Sequence, residues 1–251
     1  MTRGMSGVAR RNVVLLHGWG MSRAVWRTLA ARLAAEFDVH ALDLAGYGSA
    51  PLPARYDLCA LADDIAQRAP ARCDIVGWSL GAHVALQWAC RRPSQVRRLA
   101  LIGATPCFVA REDWPHGMDS MVFGDFESLL LRDREAALER FAALQAQGEA
   151  RALTTVRELR AAIARDARPE ALEQGLAILR LADLRPILRE IEQPVELVHG
   201  ERDALVPCAA ADSLRSALPA AHVERVPGAA HAPFVSQCDV VAARLADFFH
   251  G

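Results

Sequence analysis

Short apolar runs rich in β-branched residues recur along the chain: Val13 to Leu16, Val39 to Leu42, Asp74 to Val76, Leu99 to Ile102 and Val195 to Val198. Each is too short for a helix and is followed by apolar positions at helical spacing. Repetition of that strand-then-helix unit predicts an α/β domain, a mostly parallel central sheet flanked by helices. A sixth run, His222 to Val226, precedes a Pro-Gly turn, and an amphipathic helix from Asp239 to Phe249 completes the pattern. Between Thr105 and Pro186 strand runs stop and Ala, Leu, Arg and Glu recur at helical spacing. The expected organisation is therefore a core at 1–105 and 186–251, with a helical lid inserted at 106–185.

Composition narrows the functional classes. The chain has 251 residues, 52% hydrophobic and 24% charged, with a formal net charge of −1. That suits one large buried core and supplies no positive field for nucleic acid or an anionic membrane. Every Lys or Arg position is arginine, which removes Schiff-base chemistry and a phosphate-loop lysine. The cysteines Cys59, Cys73, Cys90, Cys107, Cys208 and Cys238 form no Cys-x-x-Cys pair, so neither a metal site nor a redox motif is expected. They read as reduced, mostly buried thiols. Residues Met1 to Arg11 are polar, without the apolar core of a leader, and no run has the length of a membrane span. A cytoplasmic protein is expected, and, with no interface signal, a monomer.

The chemistry concentrates in Gly77-Trp78-Ser79-Leu80-Gly81, set between the run ending at Val76 and the helical stretch Ala82 to Cys90. Gly-x-Ser-x-Gly between strand and helix is the nucleophile-elbow pattern, which holds the serine on a strained turn above a sheet. On its own the pentapeptide also fits an ordinary turn. A serine nucleophile needs a base to take its proton, and the base needs an acceptor to fix its tautomer. Both follow later in the chain: Asp203 in a loop after the run ending at Val198, and His231 in a loop after the run ending at Val226. Glu201 and Asp212 are rivals to Asp203 for the acid. His17, His83 and His199 read as structural, and His40, His116, His222 and His250 have no motif context. The backbone N–H groups of Trp19, in the loop after the first run, and of Leu80, at a helix start, are the candidate oxyanion donors.

The order Ser79, Asp203, His231 resembles that of the α/β-hydrolase superfamily. More narrowly, the sequence resembles the pimeloyl-acyl-carrier-protein methyl ester esterases of biotin synthesis. The likeness is carried by Leu15 to Gly20, Gly77 to Gly81, Pro106-Cys107-Phe108 with Trp114-Pro115, Glu139 to Gln145, and Ala230 to Phe234. It implies the α/β-hydrolase fold, with the lid between the sixth and seventh strands, and a Ser79, Asp203, His231 triad. It also implies hydrolysis of the methyl ester on a pimeloyl chain carried by acyl carrier protein, without a cofactor. Substrate contacts are then expected at Trp19, Ser79, Leu80, Phe141, Ala142, Ala143, Leu144, Gln145 and His231.

An acidic carrier implies a basic docking face, for which the resemblance points to Arg134, Arg140, Arg151, Arg157 and Arg160. If the stretch is one helix, Arg157, Arg160, Arg165 and Arg168 fall within about 140° of one face. The bland alternative is a solvated charged face, since Glu158 and Asp166 are interspersed. The early antiparallel hairpin of larger relatives is expected to be shortened or replaced by one edge strand. Other functions on this fold stay open: a general esterase, thioesterase or lactonase, or a non-catalytic ligand-binding module.

Overall fold

The structure, a computed structural model, describes residues 10–218 and 220–251. Residues 1–9, on which the expectation of no leader falls, lie outside the described residues. Six strands alternate with helices: β1 (Asn12–Leu16), α1 (Arg27–Leu33), β2 (Asp38–Leu42), α2 (Leu58–Arg68), β3 (Cys73–Trp78), α3 (Leu80–Arg91) and β4 (Val96–Ile102). Four helices follow, α4 (Ser120–Arg132), α5 (Arg134–Leu144), α6 (Ala152–Ala161) and α7 (Pro169–Leu181). The chain then returns to the sheet with β5 (Val195–Gly200), α8 (Cys208–Ala217), β6 (Ala221–Val226), α9 (Pro233–Ser236) and α10 (Cys238–His250).

The sheet order is β2-β1-β3-β4-β5-β6 and every pair is parallel. The strands run one to three residues beyond the apolar runs in the sequence, because parallel pairing takes in flanking residues such as Cys73, Trp78, Val96 and His199. β3 and β5 are buried throughout, whereas β2 and β6 at the two edges are half exposed. A parallel sheet covered on both faces gives this distribution. All six described strands being parallel, the helical insertion falls between the fourth and fifth strands of this sheet; the strand count expected from larger relatives is shifted by two.

Local chemistry sets the helix starts. Asp57, Asp119 and Asp133 cap α2, α4 and α5 by accepting backbone N–H bonds in the first turn, and Pro169 opens α7. One boundary overturns an expectation. α6 stops at Ala161 instead of running on to Arg168, because Ala162 O accepts from Ser22 N and Ala164 N donates to Gly20 O. That antiparallel bridge, Met21 opposite Ile163, pulls the chain off the helix axis. Arg165 and Arg168 therefore lie outside α6, and the four-arginine stripe does not form.

The thiols also differ from expectation: Cys73 and Cys107 are buried, Cys90, Cys208 and Cys238 are half-buried and Cys59 is exposed. Amphipathic helices place four of the six near their rims. Among the described residues no helix is long and apolar enough to cross a membrane.

Candidate active site

Strand order reverses between β1 and β3, since the chain leaves β1 toward one edge and β3 toward the other. In an open parallel sheet the crevice outside the carboxyl ends at such a reversal is where ligands sit. β1 delivers His17 to Gly20 to this point and β3 delivers Ser79.

Ser79 adopts φ 54° and ψ −115°, and it is the only non-glycine residue with positive φ among the described residues. Its neighbours explain how the strain is held. A Cβ on Gly77 would stand 2.6 Å from Gly81 O, and one on Gly81 would stand 2.7 Å from His17 O. Only glycine at both positions lets β3, α3 and the β1 loop close around the turn. Ser79 N donates to Ile102 O at 3.1 Å, tying the elbow to β4.

Asp203 and His231 are brought together from the ends of β5 and β6. His231 Nδ1–H donates to Asp203 Oδ2 at 2.7 Å, with both side chains buried. Asp203 Oδ1 accepts from Leu205 N and Val206 N, each at 2.9 Å. Burial alone would push the Asp203 carboxyl up, but the His231 imidazole and its hydrogen bond, His199 and the Val206 N–H outweigh it and hold it below the usual range. An ionised, acceptor-only carboxylate fixes the proton on Nδ1 and leaves the lone pair on Nε2. His231 Nε2 and Ser79 Oγ are both buried, and neither has a hydrogen-bond partner among the described residues. A serine nucleophile and its base would need such an arrangement, and contacts of this kind commonly tighten only in the complex.

The rival acids are engaged elsewhere: Glu201 accepts from Gly228 N and Asp212 pairs with Arg225. The three histidines read as structural are buried and bonded. His17 Nδ1–H donates to Gly18 O and its Nε2 accepts from Leu44 N. His83 bonds Ser79 O at 3.2 Å. His199 Nε2–H donates to Val206 O at 2.8 Å, and burial lowers its pKa despite Asp203.

Trp19 N and Leu80 N have no protein acceptor among the described residues, as oxyanion donors require. The Trp19 ring is buried. Its Nε1–H donates to Leu172 O at 2.8 Å, and Phe126 and Phe141 meet it edge-on at 5.4 and 5.1 Å. These two phenylalanines also line a narrow apolar cleft with Phe108, Phe123, Leu144 and Leu176. The sequence reading missed Phe108, Phe123, Phe126 and Leu176, whose spacing looks like ordinary core.

Of the expected substrate segment, Phe141 and Leu144 face the cleft and Ala142 is buried beneath it. Ala143 is exposed, about 200° around α5 from Phe141. Gln145 is buried, and its carbonyl accepts from His231 N at 3.0 Å.

The candidate docking arginines divide by their partners. Arg160 pairs with Glu139, as does Arg165, which also pairs with Glu135. Arg134 donates to Ala167 O and Arg165 O. Arg140 borders the apolar cleft, Arg151 precedes α6 and Arg157 lies on it; these three form no ion pair among the described residues. No group of three or more His, Cys, Asp or Glu side chains among the described residues is placed to hold a metal ion.

A family model described as the alpha/beta hydrolase family matches residues 13–244. A pimeloyl-acyl-carrier-protein methyl ester esterase of Nitrosomonas europaea is 39% identical over 227 residues, covering 90% of each chain. Proteins of the same name from Aeromonas salmonicida and Aromatoleum aromaticum are each 41% identical, the first covering 90% of both chains and the second 96% of this chain and 99% of its own. Among solved structures, an esterase from Exiguobacterium antarcticum superposes with a TM-score of 0.88 at 24% identity, covering 97% of this chain and 93% of its own. An enol-lactonase from Burkholderia xenovorans gives 0.81 at 20% identity, covering 98% and 94%. At that identity the two structures speak to the fold alone.

Proposed function

We infer the reaction from a settled premise: the chain belongs to the alpha/beta hydrolase family. It acts as a serine carboxylesterase on the methyl ester of pimeloyl-acyl carrier protein, releasing methanol and freeing the distal carboxylate. The observation that carries the chemistry is the pair of buried atoms Ser79 Oγ and His231 Nε2, without partners among the described residues, with His231 held by Asp203 at 2.7 Å. The substrate is taken from the name shared by relatives about 40% identical over nearly the whole chain.

Ser79 Oγ attacks the ester carbonyl carbon while His231 Nε2 takes its proton. The oxyanion accepts from Trp19 N–H and Leu80 N–H. Two such donors lower the barrier by several kcal/mol when aimed at the developing charge. Collapse breaks the bond to methoxide, which leaves as methanol with the proton from His231. A water then gives its proton to Nε2 and attacks the acyl-serine, returning Ser79 and the free carboxylate. Asp203, kept ionised, balances the imidazolium in both halves.

The reacting ester lies at the far end of the pimeloyl chain from the carrier, so the leaving group needs room only for a methyl. The methylene chain runs along the cleft of Phe108, Phe123, Phe126, Phe141 and Leu144, beneath α4 to α7 acting as a lid. Arg140, Arg151 and Arg157 are the cations left to meet the acidic carrier. Arg134 and Arg160 have protein partners to give up first.

The test is methanol release from the carrier-linked methyl ester by the wild type and Ser79→Ala, with a short simple ester in parallel. Serine-dependent turnover of the carrier substrate supports the reading; cleavage of the simple ester alone defeats the substrate assignment. Arg140→Glu should raise KM for the carrier substrate and leave the simple ester unaffected.

A further inference from the structure

We propose that Glu149, in the turn between α5 and α6, is a positioning residue that holds the His231 loop in register with Ser79. The inference rests on the reading of His231 as the general base and assigns a new residue to that site. Glu149 is buried, and both carboxylate oxygens are used: Oε1 accepts from Ala230 N at 2.8 Å and Oε2 from Thr155 Oγ1 at 2.7 Å. Ala230 immediately precedes His231, whose own backbone N–H donates to Gln145 O at 3.0 Å. One turn of the insertion thus takes two consecutive amides of the loop that carries the base.

The same turn also reaches the acid. Gly148 O accepts from Arg202 Nη1 at 2.8 Å, Arg202 N donates to Ala229 O at 2.9 Å, and Asp203 is the next residue. From the other side Gly200, at the end of β5, packs against the carbonyls of Ala229 and Ala230 with no room for a Cβ. The His231 loop is therefore clamped between β5 and the α5–α6 turn.

Glu149 forms no ion pair among the described residues; its two oxygens are met by a backbone amide and a hydroxyl. What it supplies is two acceptor oxygens fixed by the turn, one on the backbone N–H of Ala230 and one on the hydroxyl of Thr155. The first of these bonds falls on the single residue separating the turn from the base, where a displacement of about 1 Å is enough to cost roughly 100-fold in rate.

Glu149→Ala, Glu149→Gln and Thr155→Val, compared with wild type and Ser79→Ala, test the role. The readouts are kcat and KM on a short simple ester, thermal unfolding, and the low-field proton NMR signal of His231 Nδ1–H, identified by its loss in His231→Ala. Glu149→Ala should lower kcat by roughly 10- to 100-fold, with KM within about threefold, and broaden the His231 signal. Glu149→Gln keeps an acceptor for Ala230 N and a donor for Thr155 Oγ1, so it should restore kcat to within about threefold of wild type. Thr155→Val should fall between them.

The proposal is overturned if folded Glu149→Ala keeps wild-type kcat and a sharp His231 signal, or if Glu149→Gln is as impaired as Glu149→Ala. Should Glu149→Ala fail to fold, Thr155→Val decides: wild-type kcat and signal there refute the role. A wild type that cleaves no ester refutes the esterase reading instead, and the NMR comparison still judges the clamp.

Discussion

Gly103 lies against the imidazole of His231: a Cβ placed on it would stand 2.8 Å from Cε1 and 2.9 Å from Nδ1. Gly103 follows β4, has φ +54°, and its N–H donates to Val198 O at 3.0 Å. The residue after β4 thus limits the room left for the His231 ring. Gly103→Ala should push the ring off its acceptor and lower kcat on a simple ester by roughly 10- to 100-fold. The positive φ adds a stability loss of about 1 kcal/mol. Steady-state kinetics with urea unfolding separates the two effects, and an unchanged kcat would show that the ring has room to spare.

Ser79 holds a backbone conformation that a side chain resists, so removing the side chain should help the fold as it ends the chemistry. Ser79→Gly is expected to abolish labelling by an active-serine probe and raise unfolding free energy by about 1 kcal/mol. Ser79→Ala should be equally inactive without that gain, since a Cβ remains. Chemical denaturation of the three proteins checks the order.

Gly175 on α7 faces the Trp19 ring, where a Cβ would come within 2.9 Å of Cδ1 and 3.3 Å of Nε1. Trp19 is also held by Leu172 O on the same helix and touches two walls of the apolar cleft. Gly175→Ala should therefore shift α7 or the ring and narrow the acyl path. KM for a long-chain ester is expected to rise by roughly 10-fold, about one methylene-scale loss of apolar contact or more, while an acetate ester changes little. A chain-length series measures the difference.

Burial pushes the His83 imidazole down to about 4, against the opposing effect of its bond to Ser79 O. Its pKa in the unfolded chain is near 6.5, so below that value the unfolded state takes up a proton that the folded state refuses. His83 therefore contributes full stability above about pH 6.5 and loses it progressively as the pH falls toward 4. A shift of this size corresponds to roughly 2 to 3 kcal/mol between pH 7 and pH 4.5. His83→Phe should flatten the pH dependence of unfolding by that order, whatever its effect at neutral pH. Urea denaturation at the two pH values provides the comparison, and equal slopes in the two proteins would place the acid sensitivity elsewhere.

The positions of Ser79, Asp203 and His231 were legible in the chain because each lies in a short loop directly after an apolar run. Strand register then delivers all three to one end of the sheet. The glycines around Ser79 were legible for the same reason: the constraint that selects them acts within five residues. Identity as an acid was less local. Asp203, and not Glu201 or Asp212, bonds His231, because backbone N–H groups of Leu205 and Val206 orient it there, whereas Arg225 and Gly228 occupy the other two.

Other features depended on partners far along the chain, which leave no periodic trace. Ala161 to Arg168 has the composition of a helix, yet hydrogen bonds to Gly20 and Ser22 take its backbone and dissolve the arginine stripe. The aromatic walls of the cleft read as core in sequence, and only the approach of α4 and α5 to Trp19 turns them toward the site. Glu149 looks like a solvated charge in a polar turn. Its role appears when the fold buries it beside Ala230, because a hydrogen bond between residues 81 apart is a property of packing and not of local pattern.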